Sequence, residues 1–344
     1  MPGEPRIALV ICTYRRPAAV LTLLRALADQ TRGPDEVLVV DGSPGPETAR
    51  VLEGAGLLEA DGFAYAQVGE EDRGLTRQRN WGVAHTRSEI VAFLDDDTVP
   101  EPTYFEEVRA CFGRHPDAVG VGGYMTNEVA WRAPGVVRGP ASISVFRLDG
   151  WERREDVRWR LRRLLGLASP QPPGRIPRSG HGRPVTYFPP SGEDREVDFI
   201  VGAAFAWKRD LLEKESFSRF FEGYGLYEDF EYSVRASRHG ALVLCTAARL
   251  GHHHAEGGRP DAVRYGRMVV RNGWYVWRSK WPRPSLGDRA RWWATTFLLA
   301  GCVVADAVRG REPGQALAQA LGRIQGAVGV LLDPPCGPAE ERDG

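Results

Sequence analysis

Lysine is nearly missing from this 344-residue chain: of its 45 basic residues only Lys208, Lys214 and Lys280 are lysines, and the rest are arginines. That preference reflects the composition of coding DNA more than a function. An excess of either charge is missing too, since 45 acidic residues balance the 45 basic ones, so no global field points to nucleic acid. Cys12, Cys111, Cys245, Cys302 and Cys336 are odd in number and contain no C-x-x-C pair, which argues against a disulfide framework or a zinc knuckle and fits a reducing cytoplasm. The apolar run that follows the N-terminal Met-Pro-Gly-Glu-Pro-Arg is too short for a signal peptide and has no cleavage site behind it, so export is not expected. A long apolar stretch is lacking as well. The best one, Ala294–Ala305, is a dozen residues, short of the roughly 20 a membrane-spanning helix needs. Trp292 and Trp293 before it, and Arg289, Arg291, Arg309 and Arg311 around it, suit a helix lying at a membrane interface; an ordinary core helix is the rival.

What is present is enough apolar sequence, 42%, to bury a full core. The first 125 residues alternate strand and helix signals. Strands are expected at Ile7–Cys12, Glu36–Val40, Phe63–Val68 and Ile90–Leu94, with helices after the first and near Glu47–Leu58 and Leu75–His85. This pattern predicts an α/β fold with a Rossmann-like half whose chemistry sits at the strand C-termini. From Trp131 to Pro190 the periodicity fades. Within it Trp151–Pro184 holds nine Arg against Glu152, Glu155 and Asp156, and is read as a short basic helix and then a flexible Pro-rich loop. Regular signals resume at Val197–Trp207, with helices near Arg209–Glu215 and Glu228–His239, a strand near Ala241–Thr246, and a largely helical last third. The domain reading is a catalytic domain over 1–250, made of a nucleotide-binding half about 1–125, an insert about 131–190 and an acceptor half about 190–250. A helical region over 251–344 follows, its tail expected to be disordered from about 334.

Asp95-Asp96-Asp97 ends the apolar strand Ile90–Leu94, and three adjacent carboxylates repel one another unless a hard cation such as Mn²⁺ or Mg²⁺ relieves them. A solvated acidic turn or helix cap is the plain alternative. The first strand leads into Thr13-Tyr14-Arg15-Arg16-Pro17 with no G-x-G-x-x-G, which disfavours a dinucleotide and suits the base and phosphates of a mononucleotide. Asp41 closes the second strand, where it could accept from a base or ribose or simply form an Asx turn. Arg79 and Asn80 stand on a helix leading to the acidic strand; a solvated surface helix explains them equally well.

Taken in order, ICTYRRP, DGS, GLTRQRNWG and FLDDDTVP resemble the family-2 inverting glycosyltransferases of GT-A fold, close to bacterial rhamnosyl- and related transferases, over about residues 6 to 280. The resemblance implies a mixed sheet flanked by helices, a nucleotide diphosphate sugar as donor and a metal, Mn²⁺ or Mg²⁺. It places Thr13, Tyr14, Arg15 and Asp41 around the nucleotide, with Arg79, Asn80 and Asp96 joining the donor site. Asp97 becomes the direct metal ligand and Asp95 lies nearer the ribose and the metal shell. Gly202–Arg209 is similar to the family's small-residue acceptor motif. Tyr224–Glu231 is similar to its E-D element, so Asp229 carries over as general base and Glu228 as its acceptor-side partner. A His after the next strand often adds a metal or diphosphate ligand, which here favours His252, then His254; Arg271 matches a C-terminal Arg that reaches the diphosphate or acceptor.

These implications describe a metal-dependent hexosyl or deoxyhexosyl transferase acting with inversion on a glycan, lipid-linked or small-molecule hydroxyl, in the cytoplasm and with peripheral membrane contact at the inner face of the cell membrane. Nucleic acid is not an expected partner. A nucleotidyltransferase shares the metal-binding carboxylates but would carry a Gly-rich loop after the first strand, and a sugar- or membrane-binding module without turnover would not need the acidic set.

Overall fold

The computed structural model describes residues 4–135, 142–221, 223–255, 260–310 and 312–335. The chain forms two compact units, unit 1 from Met1–Val129 and Pro190–Gly258 and unit 2 from Ala130–Pro189 and Arg259–Gly344.

Unit 1 opens with β1 (Ile7–Thr13), α1 (Pro17–Ala28), β2 (Glu36–Asp41), α2 (Glu47–Gly54), β3 (Phe63–Gln67), α3 (Leu75–Ala84) and β4 (Ile90–Leu94). β3, β2, β1 and β4 pair in parallel in that order, as the alternating signals require. β5 (Thr98–Pro100), α4 (Tyr104–Arg114) and β6 (Ala118–Met125) follow. In unit 2 lie the hairpin of β7 (Val145–Leu148) and β8 (Trp151–Arg154) and α5 (Val157–Leu164). Unit 1 then resumes with β9 (Asp194–Val197), β10 (Ala204–Lys208), α6 (Arg209–Lys214), α7 (Glu228–Ala236) and β11 (Ala241–His252).

The nine strands of unit 1 form one mixed sheet, in the order β3-β2-β1-β4-β10-β6-β11-β5 with β9 on β11. β10 runs antiparallel to both β4 and β6. β4 is buried over its whole length, with β1 on one side and β10 on the other. Its Ile90, Ala92 and Leu94 belong to one core with Leu9, Ile11, Phe105, Val108 and Val243. Over Val197–Trp207, where regular signals resume, β9 ends and β10 begins, and the Ala203 carbonyl between them accepts from the Asp95 amide at 3.1 Å just past β4. β11 runs six residues further than the sequence signal, bulging between Leu244 and Arg249 and ending at His252.

Unit 2 continues with α8 (Ala262–Lys280), α9 (Leu286–Val308) and α10 (Pro313–Leu332). α8 and α10 touch along glycines. A Cβ added at Gly322 would sit 2.0 Å from the Val263 carbonyl oxygen, and one at Gly266 2.2 Å from that of Gln319, so the backbones approach as side chains would forbid. Ser285 and Asp288 cap α9 reciprocally. The Arg- and Pro-rich stretch is not the loose loop its composition suggests. The Arg183 guanidinium pairs with Glu155 at 2.7 Å and stacks on Phe146, Trp159 and Tyr187. Trp277 and Trp281 donate to the carbonyls of Arg178 and Ile176, so the insert folds with the C-terminal helices, a grouping that linear sequence cannot display. Trp292, for which the sequence leaves both an interfacial and an ordinary core helix open, is 2% exposed in a cluster with Trp274 and Trp277, as the core alternative has it. Arg311 and residues 336–344, the site of the expected disordered tail, lie outside the described residues.

Candidate active site

The turn that follows β4 carries the acidic triplet, and each of its carboxylates has a different task. Asp96 points inward: Thr13 donates to its Oδ2 at 2.7 Å and Arg16 to its Oδ1 at 3.0 Å, which ties the end of β1 to the turn. Burial outweighs these bonds and raises its pKa to about 6. Asp97 accepts from the Ala255 amide at 2.8 Å through Oδ2, with Arg16 3.4 Å away. Its other oxygen, Oδ1, is buried, receives no well-formed hydrogen bond, and lies 3.2 Å from Nε2 of His252. Although burial would raise Asp97, the adjacent His252 and its charge bring it down to about 2. His252 shifts the opposite way, to about 10: burial would lower it, but Asp97 and Glu128 more than compensate.

Asp95, Asp97 and His252 offer ligand atoms within 4.8 Å of one another. An imidazole held in its protonated form between carboxylates, facing an orphaned buried oxygen, is the arrangement expected where a divalent cation takes the proton's place. The residues therefore fit a hard or borderline cation with mixed O and N ligands. Glu128, just past β6, was not found from sequence. It lies 3.1 Å from Nδ1 of His252 and 3.5 Å from Nε2 of His254, the carboxylate-to-imidazole contact that orients a metal-ligating histidine. His254 is half exposed and left-handed at φ 49°, and its ring lies with its centroid 4.0 Å from that of His252.

A second cluster adjoins the first through Arg79. This guanidinium is 2% exposed, bonds Glu228 through Nη1 and the Gly202 carbonyl at 3.0 Å, stands 3.7 Å from Asp95, and stacks on Phe205 with its centre 4.7 Å from the ring centroid. Glu228 and Asp229 start α7, where the helix dipole favours acids. Burial pushes Glu228 up to about 8 even with Arg79 opposing it. Asp229 accepts from the amides of Gly202 and Phe230, each at 2.9 Å, and burial raises its pKa too. Gly202 explains the small-residue motif: a Cβ there would lie 2.8 Å from Glu228 Oε1 and 3.1 Å from both Arg79 Nη2 and Asp229 Cβ.

The remaining sequence candidates are placed as follows. Asp41 is fully buried and accepts from the Ser43 amide at 2.8 Å and from Tyr65 at 3.0 Å. Arg15 is exposed, left-handed at φ 56°, and stacks over Tyr14. The amide of Asn80 is taken at both ends by the Phe217 main chain, at 2.9 and 2.8 Å, so it braces the loop before α7. Arg271 lies on α8, exposed, in unit 2. Cys111, His115 and Asp194 also offer ligand atoms close together, but Arg114 grips both Asp194 oxygens at 2.8 and 3.1 Å and so fills a cation's place.

Residues 8–161 match the model of the family described as Glycosyl transferase family 2. The glucosyl-dolichyl phosphate glucuronosyltransferase of Haloferax volcanii is 30% identical over 38% of this chain and 41% of its own length. The O-antigen biosynthesis protein RfbC of Myxococcus xanthus is 26% identical over 76% of this chain and 18% of its own. The chain thus spans less than half the length of these relatives. Among solved structures, the mannosyltransferase PcManGT of Pyrobaculum calidifontis, in complex with GDP-Man and Mn²⁺, superposes with a TM-score of 0.55 at 15% identity over 97% of this chain and 89% of that one. GalNAc-T7, with UDP, GalNAc and Mn²⁺, gives 0.51 at 15% over 79% and 48%. The expected GT-A-type sheet with a helical C-terminal region is therefore the fold.

Proposed function

We propose that this chain is a family-2 glycosyltransferase that moves a sugar from a nucleoside diphosphate donor to an acceptor hydroxyl with inversion. The observation that carries the reading is Arg79, one buried guanidinium in contact with both the acid pair of α7 and the carboxylate turn after β4. In this reading Asp229 takes the proton of the attacking hydroxyl. Glu228 is paired through Oε1 with Arg79, whereas Asp229 is held by main-chain amides and keeps lone pairs for a substrate. Burial raises its pKa above the ordinary carboxylate value, which favours taking up a proton.

Asp97 and His252 would hold Mn²⁺ or Mg²⁺, with Asp95 beside them, and the ion would supply neutralisation of the charge that builds on the departing diphosphate. Thr13, Arg15 and Arg16, at the exit of β1, are placed to meet the nucleotide, with Asp41 shaping the floor beneath. An acceptor on a lipid-linked glycan is supported by the name of the Haloferax relative, a glucosyl-dolichyl phosphate glucuronosyltransferase.

The experiment is calorimetry of UDP, dTDP and GDP binding with Mn²⁺ present, on the full chain and on Asp97→Ala. One nucleotide is expected to bind, and the variant to lose the metal-dependent part of its affinity while keeping its melting profile. Equal affinity of the variant, with and without Mn²⁺, would remove Asp97 from the site.

A further inference from the structure

The balance of 45 against 45 charges conceals a segregation. Unit 2 carries 25 basic and 12 acidic residues, and unit 1 carries 20 and 33. The basic unit is also the one with uncovered apolar helices. On α10, Leu317, Leu321, Ile324, Val328 and Leu331 recur at spacings of four and three, which places them on one face, and all are between 49% and 65% exposed. From Pro313 to Leu332 the only charged residue is Arg323, which lies off that stripe and is half buried. α9, packed against α10, leaves Phe297, Val304 and Val308 exposed. α5 packs on α9 and ends in Leu164 and Leu165, 69% and 60% exposed, with Arg158 and Arg163 exposed on the same helix. Arg291 of α9 donates to the Gly166 carbonyl, so the turn after α5 is tied to the Arg-bearing start of α9.

We propose that unit 2 is a membrane-docking module, which lays the apolar faces of α10 and α9 and the end of α5 into the headgroup layer of an anionic bilayer. Aliphatic stripes enter the acyl boundary while arginines meet lipid phosphates, the arrangement of an interfacial and not a spanning helix. Among the described residues no helix is long and apolar enough to cross a membrane. A second copy of the chain fits less well, because apposing two units with 25 basic against 12 acidic residues sets like charges face to face. Residues 336–344 are equally unsuited to cover the stripe, since Glu340, Glu341, Arg342 and Asp343 make them polar. The inference stands on unit 2 alone and needs neither donor nor acceptor, so it survives or fails separately from the transfer reaction.

The test is flotation of the full chain with vesicles of phosphatidylcholine alone or mixed with phosphatidylglycerol, at low and high salt. Binding is expected only to the anionic vesicles and should weaken with salt. Leu321→Gln with Val328→Gln should lower partitioning at least about tenfold with melting unchanged, because both side chains are already half exposed; Leu317→Gln with Ile324→Gln is the substitute pair should the first disturb folding. Arg158→Gln with Arg163→Gln should reduce the preference for anionic lipid. Absence of vesicle binding would overturn the proposal. So would equal binding to both vesicle types, or a dimer in sedimentation that the Leu321 and Val328 changes dissociate while vesicle binding is unaffected.

Discussion

Replacing Arg79 with Met removes a guanidinium that is 2% exposed and serves three partners at once: Glu228, the Gly202 carbonyl and Asp95. Met retains much of the packing on Phe93, Phe205 and Phe217, so the loss is electrostatic in the main. Removing one member of a buried pair strands the other and typically costs about 3–5 kcal/mol. The stranded Glu228, already raised by burial with Arg79 present, takes up a proton instead of remaining charged. Its neutral form, which Glu228 already favours below about 8 with Arg79 present, needs no counter-charge, so the penalty should be smallest below that value and grow as pH rises through it. Adding Glu228→Gln should recover most of the loss, since an amide needs no counter-charge. Urea unfolding of the two single variants and the double variant at neutral and alkaline pH provides the cycle. A single-variant cost below about 1 kcal/mol, or a double variant no better than the sum of the singles, would refute the clamp as described.

Gly202→Ala should destabilise unit 1 by about 1–3 kcal/mol and lower activity, because the new methyl meets Glu228 and Arg79 inside contact distance; wild-type melting and turnover would count against that crowding. His181, whose pKa burial and the nearby Arg162 depress from 6.5 to about 3, gives the chain an acid-labile point in unit 2. Between those values the unfolded chain binds the extra proton, so stability should fall as pH drops, by at most about 1.4 kcal/mol per pH unit. His181→Gln should flatten that slope in thermal melts, and an unchanged slope would assign the acid sensitivity elsewhere.

How far the sequence could be read depended on whether a feature is written in adjacent residues. β1 and β4 are continuous apolar runs, and the triplet at the end of β4 is contiguous, so strand, edge and carboxylates are legible together. Glu228 and Asp229 were legible through their neighbours in the motif. The role of Arg79 was not, because its partners Gly202 and Glu228 lie 123 and 149 residues away and nothing in GLTRQRNWG distinguishes a clamp from a donor contact. Glu128 escaped for the same reason, meeting His252 across 124 residues. The insert misled because arginine and proline usually signal a solvated loop, whereas here Arg183 and Arg162 lie flat on buried aromatic rings. The place of Trp292 stayed open between two readings, since an aromatic beside an apolar run looks the same whether it faces lipid or three other indoles.

The most direct measurement of the central claim is single-turnover sugar transfer by Asp229→Asn, with the donor and acceptor that support turnover in the unaltered chain. Asn preserves the size and can still accept from the Gly202 amide, so donor affinity should stay within about a few-fold while the rate falls by about 10²–10⁴, the usual worth of a general base. Transfer by the Asn variant at a near-normal rate would contradict the account and return the proton to Glu228.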